Sequence, residues 1–88
     1  MTHPTSNRYV LAVEAESDPT VAARILHLLT VRGEIPDSFS MRKEGVDVLR
    51  IEIEIAGLDE RAAHFLHQKL LNIPTVLSAS VSERDALP

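Results

Sequence analysis

The sequence predicts an α+β sandwich of order βαββαβ, with two helices on one face of a four-stranded antiparallel sheet. Three observations carry this expectation. Val46–Ala56 alternates between apolar and polar residues, as a strand does when one face is core and the other wet. Ser17–Gly33 reads as a loop, one amphipathic helix and a glycine stop. Asp59–Pro74 repeats that pattern, with a capping residue before its apolar stripe and a proline beyond it.

Met1–Asn7 is polar and is expected to be a flexible terminus. In Arg8–Glu16, Tyr9, Leu11, Val13 and Ala15 hold one set of alternating positions, and Val10, Ala12, Glu14 and Glu16 the other. That is a half-buried strand with an outer face that turns acidic. The first helix is expected over about Pro19–Arg32. Asp18 is placed to cap it, Pro19 suits the first helical position, and Gly33 supplies a left-handed stop. At about 100° per residue, Val21, Ala22, Ile25, Leu26, Leu28 and Leu29 cover an arc of about 160°, wider than one sheet requires. The surplus, Ala22 and Leu26, is either a wide core stripe or a subunit interface.

Pro36 cannot donate to a ladder and belongs at a strand start or an edge. An edge strand is expected over Asp37–Arg42, with Phe39 and Met41 on one side, followed by a turn at Lys43-Glu44-Gly45. In the strand Val46–Ala56, Leu49, Ile51, Ile53 and Ile55 point to the core. Asp59 caps a second helix, about Glu60–Leu71, with the stripe Ala62, Ala63, Leu66, Leu70 and then Ile73. Asn72 suits a left-handed stop, and Pro74 forbids continuation. Thr75–Ser82 is the last strand, with Leu77, Ala79 and Val81 inward, and 83–88 is read as a tail. This is the ferredoxin-like βαββαβ order. Its open face should carry Glu14, Ser40, Arg42, Arg50, Glu52, Glu54, Ser78 and Ser80.

Composition narrows the function. Eighty-eight residues make one small domain, which buries only ~60–65% of its unfolded surface and gains from self-association. With no cysteine, disulfides, thiolate metal sites and thiol catalysis are excluded. A net charge of −4 argues against a nucleic-acid surface, which needs a basic patch. The only aromatics are Tyr9, Phe39 and Phe65, and none falls on the open, acidic face of the sheet where base stacking would need it. No apolar run approaches the ~20 residues of a membrane span, and the start of the chain has no secretory pattern. A soluble, cytoplasmic protein is expected.

Three chemistries merit a test against spacing. His64 and His67 stand i, i+3 on the second helix, enough for part of a metal site, but zinc takes three or four ligands. Exposed helix histidines are the simpler reading, and neither metal nor cofactor is expected. Glu52 and Glu54 share a strand face with Arg50 and read as cross-strand charge pairing rather than an acid and a base. No nucleophile–base–orienter set can be assembled, so no catalytic residue is assigned. The mouth of the first helix is the better site: free N–H groups and the positive dipole end favour an anion there. Asp18 is either a cap alone or a partner for the ammonium of an amino acid whose carboxylate meets the backbone donors.

The strand RYVLAVEAE, the segment ESDPTVAARILHLLTVRGEI and the closing strand–helix–strand resemble the ACT domain, a ferredoxin-like regulatory module that commonly binds amino acids at a dimer interface. The resemblance covers Arg8–Ser82. Within that family, Ala22–Ser40 is most similar to small regulatory subunits of acetolactate synthase (acetohydroxyacid synthase), where a helix ending in Arg-Gly, here Arg32-Gly33, leads into the second strand. A chain of one such domain also matches the shortest of those subunits. Two positions depart from the family pattern. Thr20 stands where the loop often has Gly, and Ile35 stands where an Asn often reaches the ligand.

The resemblance implies a homodimer formed side by side through the edge strand and first helix, with Ala22, Leu26 and Phe39 at the interface. It implies ligand contacts from Asp18, Pro19 and Thr20, with Ile35 and Asp37 from the second strand. The function expected is a non-catalytic regulatory subunit of a thiamine-diphosphate-dependent acetolactate synthase-type enzyme, responsive to a branched-chain amino acid. The alternatives are a stand-alone amino-acid or small-metabolite sensor, or a small dimeric α+β enzyme using Glu52.

Overall fold

The computed structural model describes residues 8–84; the expectations for Met1–Asn7 and for residues 85–88 lie outside them. The elements are β1 (Arg8–Glu16), α1 (Val21–Val31), β2 (Ser38–Glu44), β3 (Val48–Ala56), α2 (Glu60–Leu71) and β4 (Val76–Arg84). The sheet order is β2-β3-β1-β4, with every neighbouring pair antiparallel. The βαββαβ order and the α+β sandwich are as the sequence predicts.

Alternation decides which side of each strand is buried. Tyr9, Leu11, Val13 and Ala15 on β1 and Leu49, Ile51, Ile53 and Ile55 on β3 all lie in the core. They meet Val21, Ile25 and Leu29 from α1 and Ala63, Leu66 and Leu70 from α2. Leu58 and Ile73 close the two ends of α2. Among the described residues no polar or charged residue falls in the buried class, so the core rests chiefly on apolar contact.

Several boundaries differ from the sequence expectation. The first helix begins at Val21, not Pro19, and its N-cap is Thr20, not Asp18. Its end is as expected: Gly33 has φ +75°. The Gly33 N–H donates to Thr30 O at 2.9 Å and the Glu34 N–H to Leu29 O at 2.9 Å, which is the Schellman arrangement. The edge strand runs on to Glu44, and Glu44 pairs with Val48. The turn is therefore Gly45-Val46-Asp47, and Val46 stands out of the expected strand, 85% exposed.

Asn72 keeps a right-handed conformation. The last turn of α2 instead tightens through Asn72 N–H to Lys69 O and Ile73 N–H to Leu70 O, each 3.1 Å, which satisfies those carbonyls without a left-handed residue. In β4 the register shifts, with Glu14 opposite Ser78 but Ala15 opposite Val76. Leu77 is the extra residue of this bulge and is 55% exposed rather than inward, while Val76 packs on the core in its place. β4 also extends to Arg84, two residues into the stretch expected to be tail.

Candidate functional site

The loop between β1 and α1 is built by its own polar groups. The Asp18 carboxylate accepts from the Thr20 N–H at 2.9 Å and from the Thr20 hydroxyl at 2.9 and 3.0 Å. The Val21 N–H donates to Asp18 O at 3.2 Å. Thr20 spends its hydroxyl on Asp18 and so makes no side-chain cap bond of its own. Among the described residues, the N–H groups of Ala22 and Ala23 then find no acceptor. The mouth of α1 presents two free donors at the positive end of the helix dipole. At α2, by contrast, the Asp59 carboxylate accepts from Ala62 N–H at 2.7 Å, the cap the sequence predicts.

The loop is fixed from two sides. Glu16 N–H donates to Thr75 O at 2.8 Å, and Ser17 N–H donates to Asp47 O at 2.9 Å. Hydrogen bonds from the Thr20 N–H and then the Thr20 hydroxyl hold the Asp18 carboxyl below the usual carboxylate range; the Thr75 hydroxyl and the Arg24 charge act the same way. The Thr75 hydroxyl is itself buried and has no full hydrogen bond among the described residues. It is a polar atom at the base of the loop that carries no signal in the sequence, because the turn before β4 reaches the loop only through the fold.

Ser17, Asp18 and Pro19 face Met41, Arg42 and Lys43 of β2 across a groove of about 270 Å³, with Leu49 on its apolar side. The groove joins a carboxylate, a lysine and apolar walls at the free edge of the sheet. Met41 and Lys43 carried no signal in the sequence, since strand register alone brings them beside the loop. Thr20 is exposed at the loop's end. Ile35, 84% exposed, and Asp37 lie at the other end of β2. The Asp37 N–H donates there to Glu54 O at 2.7 Å, near Val10 and away from Glu16. One chain therefore does not bring Ile35 and Asp37 to Asp18, Pro19 and Thr20. Of the three interface candidates, Ala22 and Phe39 are half-buried and Leu26 is exposed.

The open face of the sheet is laced by ion pairs. Arg50 reaches Glu14, its partner in register, at 3.2 Å, and Glu52 at 3.9 Å. Glu54 lies between Arg84 at 2.6 Å and Arg8 at 3.7 Å. Glu52 and Glu54 each face an arginine rather than each other. On the other side, His67 Nε2 is 2.8 Å from Ala79 O on the outer strand. Among the described residues no group of three or more histidines and carboxylates could hold a metal ion. Near it the Tyr9 hydroxyl is pushed above its ordinary pKa by burial and then by Glu83, Glu60 and Asp59. No helix among the described residues is long and apolar enough to cross a membrane.

Known proteins share this architecture. The ACT domain of a GTP pyrophosphokinase from Chlorobium tepidum superposes with a TM-score of 0.75 at 10% identity, covering 89% of this chain and 100% of that one. The C-terminal domain of the MgtC protein from Mycobacterium tuberculosis gives 0.76 at 13% identity, with 100% and 98% covered. The regulatory subunit of aspartate kinase from Thermus thermophilus gives 0.65 at 16% identity, with 89% and 55% covered. At these identities the likeness is one of fold. No curated protein matches the sequence. The sequence profile of the ACT-like domain matches residues 2–87, and the chain belongs to that family.

Proposed function

We propose that this chain is a non-catalytic regulatory protein that binds an amino-acid effector at the β1–α1 loop and does so as a homodimer. The groove between the loop and β2 carries the reading. A zwitterion needs an acceptor for its ammonium and donors for its carboxylate. Within the groove Asp18 is the acceptor, and Lys43, with Arg42 beside it, supplies the donors; the free N–H groups of Ala22 and Ala23 belong to the mouth of α1 that follows the loop. Met41, Pro19 and Leu49 would take an apolar side chain.

The dimer supplies what one chain lacks. Among the described residues β2 is an edge strand with no strand on its outer side. If two copies pair antiparallel through β2, the Ser38 end of one lies beside the Glu44 end of the other. Ile35 and Asp37 of a second copy then approach the loop of the first. Such pairing also covers an open edge that would otherwise invite aggregation. Leu26, Val31, Ile35, Met41 and Val46 are exposed apolar residues that all fall between α1 and the β2–β3 turn, the region this pairing would involve.

The partner proposed is the catalytic subunit of an acetolactate synthase-type, thiamine-diphosphate-dependent enzyme; this rests on the resemblance read from the sequence of Ala22–Ser40 alone. Regulation would follow from an effector that binds two states of the complex unequally. Adding the purified chain to such a catalytic subunit should raise its activity, and valine, leucine or isoleucine should then lower it. If the chain leaves activity and valine response unchanged, this partner is wrong. A second reading, a regulatory element for another amino-acid pathway enzyme, draws on the fold it shares with the aspartate kinase regulatory subunit and with part of a homoserine dehydrogenase from Thiobacillus denitrificans.

A further inference from the structure

The basic side chains of this molecule are unevenly neutralised. On the open face, Arg8, Arg42, Arg50 and Arg84 all pair with glutamates. On the helical side, Arg24, Arg32 and Lys69 line one groove of about 590 Å³ between α1 and α2. No carboxylate lines that groove, and among the described residues none of the three makes an ion pair. This concentration of positive charge occurs in a chain of net charge −4.

Phe65 sharpens the picture. The Arg32 guanidinium carbon lies 4.6 Å from the centre of the Phe65 ring and Lys69 Nζ lies 5.3 Å from it. Each cation gains from the ring. Asp59 lies with Arg32 and Phe65 in the adjoining groove, but no carboxylate lines this one, so the two cations repel each other across the ring they share. A bound anion would remove it. A single carboxylate would leave part of the local charge uncompensated, with His27 and Arg24, whose charge also acts on Asp18, completing the wall. A group with several charges on adjacent phosphates matches it, and arginine binds phosphate through paired N–H donors. The apolar lining of Leu28 and Val31, and the outer face of a guanidinium already stacked on Phe65, leave room for a planar ring.

We infer that the groove between α1 and α2 binds a polyphosphate anion, free or as the phosphate chain of a nucleotide. Its volume lies within the ~300–1,000 Å³ range of small-molecule sites. It shares no residue with the loop groove, so the inference does not rest on the effector reading.

The test is calorimetric titration of the full chain with inorganic tripolyphosphate and, separately, with ATP, at low ionic strength and without amino acids. Both probes carry the phosphate chain; only one carries a ring. Tighter binding of ATP assigns the groove to nucleotides, and equal binding assigns it to free polyphosphate. In either case Arg32→Ala combined with Lys69→Ala should weaken binding by at least about tenfold. Arg84→Ala, on the open face of the sheet, should leave it unchanged, and circular dichroism confirms that each variant folds. Because both groove residues are exposed, the milder Lys69→Gln serves as a second variant, and it too should weaken binding. The inference is overturned if neither probe binds, if the double variant binds as the parent does, or if Arg84→Ala weakens binding equally.

Discussion

Asp18 and Asp59 occupy the same place in the sequence pattern, each just ahead of a helix, yet they do different work. Asp59 caps α2 through Ala62. Asp18 is followed by Pro19 and Thr20, and the threonine supplies an N–H and a hydroxyl that hold the carboxylate back in the loop. The sequence shows both aspartates; only the backbone path shows which one reaches a helix. Asp59→Ala should cost about 1 kcal/mol, a fall in Tm of roughly 4–8 °C for a domain of this size, read in a thermal melt. Asp18 makes a pH prediction instead. Its folded pKa lies below the ordinary value, so its contribution is present above about pH 3.9 and is lost as pH falls through the folded value. Melts of the parent and of Asp18→Asn should differ at neutral pH and converge in acid. A constant difference down to acid pH would mean that Asp18 is not held as described. Ile35, by its exposure, and Thr75, by its buried hydroxyl, show the same limit of sequence reading: burial and proximity are set by partners far along the chain.

At the scale of elements, strict periodicity was the dependable guide. β1, β3 and α2 stand where alternation and the helical stripe put them, because burying the wrong face would turn a whole row of Leu and Ile to water. β4 shows where periodicity runs out. Thr75–Ser82 alternates as written, but a one-residue bulge opposite Glu14 and Ala15 resets the phase and turns Leu77 outward. Nothing local encodes that shift; it is set by pairing with β1. Two substitutions separate the roles. Ile53, fully buried at the centre of the sheet, should lose about 2–5 kcal/mol as Ile53→Ala, enough to lower Tm by tens of degrees or to prevent folding. Leu77→Ser, at the exposed bulge, should change stability by no more than about 0.5 kcal/mol. A large loss at Leu77 in denaturant titration would show that the bulge residue packs after all.

For the molecule as a whole, the two sheet edges are treated differently. The outer strand β4 has His67 from α2 tied to the Ala79 carbonyl, while β2 has no strand on its outer side among the described residues, and Met41 and Ile35 are exposed. That asymmetry favours β2 as the side where a second copy would sit. Leu26→Glu should convert a dimer to a monomer in light scattering while leaving the fold intact, since Leu26 is 40% exposed in the single chain. The four-stranded sandwich was legible in the sequence because it depends on patterns repeated within each element. Of the residues that line the candidate groove, the sequence singles out Asp18 and Pro19 as ligand contacts. Its other wall, Met41 and Lys43, and its proposed completion by Ile35 and Asp37 of a second copy depend on register and symmetry that no local pattern contains.

The effector reading is tested most directly by the thermal midpoint of the purified chain with valine, leucine or isoleucine. A ligand at 100 times its Kd stabilises the folded state by about 2.7 kcal/mol, which for a domain of this size raises Tm by ~10 °C or more. A rise of that order with one of these amino acids, abolished by Asp18→Ala, is the result expected. An unchanged midpoint with all three at saturating concentration would contradict the account and leave the loop groove without its proposed ligand.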